Sequence, residues 1–306
     1  MYQTILVPLD GSDLAERALP YAETLAWASG ARLLLLRAVQ VPAVPGRDPL
    51  RAQTRAVQAA ERYLAAVAAR LAGRGIVETA VFYGDAAQAI LEEAALRKAD
   101  LIVMATHGRS GLGQLLYGSV AKAVLARSPV PVLLVRAWHE ATALSSGEPR
   151  RFLVPLDGSS FAEAALPVAH DLVASIGGEL LLFQALPPTG PYVGEALAAP
   201  LTEWAAPVAE AHALAYLHQV RARWVERYGG APPAVIVRAG PPAEAIDAAC
   251  REFSVALVVM ATHGRTGLAR LLLGSVADGL LRRGSVPLLL VRPSGLCGAM
   301  PPPDPS

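Results

Sequence analysis

Short apolar runs alternate along this chain with longer Ala-, Leu-, Glu- and Arg-rich stretches of helical period. In the N-terminal half the runs predict strands at residues 4–9, 32–38, 77–83, 100–105 and 130–136. The stretches between them predict helices at residues 13–28, 51–71, 86–97 and 119–126. Runs such as Leu33-Leu34-Leu35-Leu36 show no polar alternation, so those strands are apolar on both faces and suit a parallel sheet covered by helices. The order β-α-β-α-β-α-β-α-β describes an open, doubly wound α/β domain. Ser12 or Asp13 can cap the first helix, and Pro20 inside it predicts a kink, as does Pro167 in the second half.

The whole pattern is written twice. Val7-Pro8-Leu9-Asp10-Gly11-Ser12 returns 147 residues later, beginning at Val154. Met104-Ala105-Thr106-His107-Gly108-Arg109 and Gly118-Ser119-Val120-Ala121 return 156 residues later. A repeat of this length is a duplicated domain rather than a solenoid module. The nine extra residues of the second copy fall between Asp157 and Gly240, and the proline-rich stretch 187–207 is the expected place for them. The domains are expected at residues 1–138 and 150–293, with a linker at 139–149 and a disordered tail at 294–306.

Composition narrows the function classes. The chain of 306 residues is 53% hydrophobic and 17% charged, enough to build a sizeable core. Its longest apolar runs end well short of the roughly 18 residues a membrane span needs, and no basic segment of a signal peptide precedes the first strand. Net charge is +1, the only lysines are Lys98 and Lys122, and the arginines are scattered, which argues against nucleic acid or anionic membrane as partner. Two cysteines outside any CxxC point to a reducing cytoplasm.

In an open parallel sheet, ligands sit beyond the carboxyl ends of the strands where strand order reverses. Asp10 follows the first strand, and the glycine-rich loop from His107 to Gly118 follows the fourth. Asp10 could accept from a ribose hydroxyl pair or cap the first helix beside Ser12, and the two roles are compatible. Gly118-Ser119 opens a helix whose N–H groups and dipole attract phosphate, although glycine loops also serve as plain turns. The pairing of an Asp loop with a Gly-Ser loop in both halves favours a phosphate-bearing ligand. Neither a GxxxxGK[ST] loop nor a GxGxxG after the first strand is present. His107 and His263 read as orienting residues rather than catalysts. The remaining histidines are too scattered for a metal site, so any Mg²⁺ would arrive with phosphates.

The segments VPLDGS, ATHGR[ST]GL and LL-x-GSVA resemble the universal stress protein (UspA-like) family over almost the whole chain. Its ATP-binding members carry G-x2-G-x9-G-[ST], matched here at Gly108, Gly118 and Ser119 and again at Gly264, Gly274 and Ser275. Ala105 and Ala261 replace the first glycine. The resemblance implies two tandem Rossmann-like sheets of strand order 3-2-1-4-5 and a regulatory, stress-response role with little or no catalysis. It assigns Asp10 and Asp157 to ribose and the backbone at Ala38 and Ala185 to adenine. Phosphates fall to Gly108, Arg109, Gly118, Ser119, Gly264, Arg265, Gly274 and Ser275. Pro8, Met104 and Val120, with Pro155, Met260 and Val276, would line the pockets.

A slow ATP hydrolase and an interaction module without ligand are the alternatives, while a phosphoaspartate switch lacks its acidic pair and its lysine. In that strand order the fifth strand is an apolar edge, which invites aggregation unless covered. Antiparallel pairing of the two fifth strands within one chain is therefore expected, with any further homodimer built on other surfaces. The 15 residues 137–151 could reach roughly 50 Å at about 3.3 Å each.

Overall fold

The computed structural model describes residues 2–41, 48–106, 118–136, 144, 150–186, 199–262 and 273–292. The first half runs β1 (Thr4–Pro8), α1 (Asp13–Glu16), α2 (Leu19–Ser29), β2 (Arg32–Val39), α3 (Pro49–Leu71), β3 (Val77–Tyr83), α4 (Ala86–Leu96), β4 (Leu101–Ala105), α5 (Ser119–Arg127) and β5 (Val132–Val135). The second repeats it as β6 (Arg151–Pro155), α6 (Ser160–Glu163), α7 (Ala165–Ile176), β7 (Glu179–Leu186), α8 (Ala199–Tyr228), β8 (Ala234–Ala239), α9 (Pro242–Glu252), β9 (Val255–Ala261), α10 (Ser275–Arg283) and β10 (Leu288–Val291).

All strands pair parallel within a half, in the order β3-β2-β1-β4-β5 and its equivalent β8-β7-β6-β9-β10. The two edges meet in an antiparallel pair with Leu133 opposite Leu289, giving a single ten-stranded sheet. Side chains alternate across it. Val7, Leu33, Leu35 and Leu133 enter one core with α2, α3, α7 and α8, while Leu6, Leu34, Leu36 and Met104 enter the other with α4, α5, α9 and α10. The leucine run of β2 is thus buried on both faces, as a covered parallel strand must be.

Two arginines cross the join. Arg136, just past β5, donates to the carbonyls of Leu280 and Leu281 in α10. Arg292, just past β10, donates to the Ala126 carbonyl in α5 at 2.7 Å. Each half therefore satisfies carbonyls in the last turn of the other half's helix, where a cation also suits the dipole.

Two expectations need correction. Residues 13–28 form two helices, not one kinked helix. Pro20 has no N–H and its ring excludes the carbonyl four residues back, so α1 ends at that residue, Glu16, and α2 restarts with Pro20 in its first turn. Pro167 does the same between α6 and α7. The insertion is also divided. Tyr63 and Tyr216 make the same hydrogen bond at an offset of 153, so only six of the nine extra residues precede Tyr216 and three follow it. Part of the 187–207 stretch is helical, because α8 begins at Ala199 and carries Pro207. The tail 294–306 lies outside the described residues. So do 139–143 and 145–149 of the linker, whose Leu144 is described and buried.

Candidate functional site

The turn after β1 is built to hold one carboxylate still. Asp10 Oδ1 accepts from the Ser12 backbone N–H at 2.9 Å and from its hydroxyl at 2.6 Å. Ser12 Oγ in turn accepts from the Ala15 N–H at 3.2 Å, so Ser12 is the cap of α1 and Asp10 braces it. Asp157, Ser159 and Ala162 repeat the three bonds at 2.9, 2.6 and 3.2 Å. Gly11 is at φ +83°, a conformation that favours glycine, and the Arg37 guanidinium lies 3.0 Å from where a Cβ would stand. Behind the turn, Glu16 accepts from Tyr63 at 2.8 Å and pairs with Arg70, which ties α1 to α3. Glu163, Tyr216 and Arg223 repeat this clamp.

The second wall comes from β4 and α5. Thr106, directly past β4, receives the Gly118 N–H on its carbonyl at 2.8 Å, and Thr262 receives that of Gly274 at 2.8 Å. This bond sets the start of α5 beside the end of β4. Gly118 and Gly274 are the N-caps and have no side chain to accept from the first-turn N–H groups. Ser12, Asp48 and Asp85 supply that cap to α1, α3 and α4. At α5 and α10 those donors, with the positive end of the helix dipole, are available to an anion.

Between the walls lies a cavity of about 310 Å³ whose lining includes Pro8, Asp10, Ala38, Met104, Ala105, Gly118, Ser119 and Val120. The other half has one of about 260 Å³, with Pro155, Asp157, Ala185, Met260, Ala261, Gly274, Ser275 and Val276. Every expected site residue within the described regions thus falls on one of two equivalent cavities. Gly108, Arg109, Gly264 and Arg265, with His107 and His263, lie outside the described residues. Thr106 and Thr262, and Ile90 and Ile246 from α4 and α9, also line the cavities. The threonines sit inside the repeated ATHGR segment and could have been found from it. The isoleucines could not, because spacing does not reveal which helix face closes a pocket.

The rest of the chemistry is quiet. Among the described residues no three His, Cys, Asp or Glu side chains come together as metal ligands, and no helix is long and apolar enough to cross a membrane. His170 stacks on Tyr228 with ring centres 4.0 Å apart. Cys250 is buried in the core, and burial pushes its thiol up to about 12.

The sequence model of the Universal stress protein family matches residues 1–136 and again 148–292. The chain belongs to the universal stress protein family. It carries the family's domain in tandem. A universal stress protein of Thermus aquaticus is 43% identical over 139 residues, which cover 44% of this chain and all of that relative. One from Mycobacterium tuberculosis is 30% identical over 197 residues, 64% of this chain, and the chain spans only 63% of that relative's length. The crystal structure of a universal stress protein from Archaeoglobus fulgidus superimposes with a TM-score of 0.69 at 23% identity, covering 94% of this chain and 96% of that one, and shows the shared fold.

Proposed function

We propose that this universal stress protein binds ATP, or a related adenine nucleotide, at both cavities and acts in the cytoplasm as a regulator rather than a fast enzyme. The observation that carries the reading is duplicated. A braced carboxylate and an uncapped helix N-terminus opened by Gly-Ser face each other across an apolar pocket. In this reading Asp10 and Asp157 accept from the ribose hydroxyls. Ala38 and Ala185, with Ile90 and Ile246, meet the base. Gly118, Ser119, Gly274 and Ser275, joined by Gly108, Arg109, Gly264 and Arg265, hold the phosphates. The cavities suit this division, being of the small-ligand size class and apolar apart from a few polar groups. The methyls of Ala105 and Ala261 belong to the walls and leave that volume in place. A Mg²⁺ ion would enter bound to the phosphates.

Calorimetry on ligand-free protein tests this. ATP is expected to bind with up to two sites per chain. Gly118→Val and Gly274→Val together should abolish it, since each places a side chain where phosphate must approach. Gly118 has φ −61° and ψ 159°, which valine adopts without strain, so the loss would be one of binding and not of fold. No heat and no thermal shift with ATP, ADP or AMP would overturn the reading.

A further inference from the structure

The two cavities carry the same residues at one end and different ones at the other. Compared position by position over the described residues, each residue lining the second cavity is the same amino acid as its counterpart in the first, with one exception. Pro242 stands where the first half has Ala86. Ala86 lies one turn before Ile90 on α4, and Pro242 one turn before Ile246 on α9. Each therefore shares a helix face with the isoleucine that meets the base in the reading above. Asp10, Gly118 and Ser119, assigned there to ribose and phosphates, have identical counterparts in Asp157, Gly274 and Ser275.

The backbone leading into that position is nearly the same in both halves. Asp85 has φ −65° and ψ 133°, and Pro241 has φ −57° and ψ 127°. A proline ring thus projects from α9 where α4 projects a methyl group, and the ring is fixed by its own backbone. The floor beneath differs in the same direction. Leu36 lines the first cavity beside Ala38 and pairs in register with Ala80 on β3. Their counterparts are the fully buried Phe183 and Ile236, larger at both places. The next pair along, Phe82 and Arg238, lines neither cavity, and Arg238 turns to Glu252 at 2.8 Å. The cavity volumes, about 310 and 260 Å³, follow the bulk of these side chains.

We infer that the cavities differ in the base they admit: the first accepts adenine nucleotides enlarged by a substituent on the base, the second excludes them, and Pro242 sets the difference. The inference rests on the nucleotide-binding reading above. It is tested with the full chain carrying Gly274→Val, which leaves the first cavity, or Gly118→Val, which leaves the second. Each is titrated with ATP, N6-methyl-ATP and 2-methylthio-ATP, the two analogues enlarging different edges of the same ring. For the analogue whose substituent meets Pro242, the loss of affinity relative to ATP is expected to be about tenfold greater at the second cavity, the scale of one misfitted carbon in an apolar pocket. Pro242→Ala should remove that extra loss, and Ala86→Pro should bring it to the first cavity. The latter change suits the site, because Asp85 already has the extended backbone that a residue before proline requires and the first N–H of a helix has no partner within it. Should a valine variant misfold, the otherwise intact chain gives the same answer: its two binding phases lie further apart with the analogue than with ATP, and Pro242→Ala brings them together. Equal analogue-to-ATP ratios at the two cavities, ratios that Pro242→Ala leaves unchanged, or a second cavity that takes no ATP would each overturn the inference while leaving nucleotide binding intact. No binding of ATP to the unsubstituted chain would remove both.

Discussion

At the scale of single residues, several side chains have ionisation set by burial rather than by the site. Tyr63 is raised above the usual tyrosine range first by burial and then by donating to Glu16, and Tyr216 by burial and Glu163. Tyr2 is raised too, and Tyr21 to about 12. A phenol whose folded pKa exceeds its unfolded value stabilises the fold fully below the unfolded pKa, and that contribution is lost as pH rises from there through the folded value. Stability should therefore fall as pH climbs above about 10, with these four phenols ionising late or only on unfolding in an alkaline absorbance titration. Cys250 supplies a neutral-pH counterpart. Its thiol, buried and held near 12, should resist iodoacetamide in the native protein and react once denaturant exposes it. With Cys297→Ser in place, so that Cys250 is the one thiol read, labelling of the native chain at the rate of a free thiol would contradict that burial.

At the scale of elements, the strands were legible because the apolar runs of β1, β2, β4 and β5 admit few other readings, and the duplicated Asp and Gly-Ser loops marked the cavity ends. Helix boundaries were less legible. Pro20 looked like a kink within one helix, and whether a proline bends or ends a helix depends on whether the carbonyl four residues back finds another partner, which pattern alone does not state. The wall formed by Ile90 and Ile246 was invisible because an alanine-rich amphipathic stretch does not declare what its apolar face meets. Nor could the sequence show that Arg136 would reach another domain. Its removal gives the sharpest test at this scale. Arg136→Ala takes the buried guanidinium from the Leu281 carbonyl, while Leu280 keeps the Gly284 N–H at 2.8 Å, and should lower stability by about 1–3 kcal/mol. Arg136→Lys should recover only part of that, lacking the planar fork. Arg292→Ala should cost less, because Arg292 is only partly buried and donates to one carbonyl, that of Ala126 in α5. Thermal unfolding of the three variants measures the order.

At the scale of the whole molecule, the β5–β10 pair makes the two cores continuous across the join. Leu133 and Leu289 are fully buried and directly opposite each other. Lysine at both positions would bury two like charges face to face, so Leu133→Lys with Leu289→Lys should separate the halves or send the protein into aggregates. Light scattering and thermal unfolding would report either. Because both strands belong to one chain, unfolding of the unsubstituted protein should not depend on its concentration, in contrast to a dimer of separate chains.

That covalent join has a genetic consequence as well. In a dimer of identical subunits, every codon change is expressed at both sites, and a residue that improves one pocket is imposed on its twin. Here the position that is lysine at 122 is aspartate at 278, and the position that is arginine at 37 is glutamine at 184, each encoded separately. One gene can thus give the two copies of one frame different side chains within a single sheet.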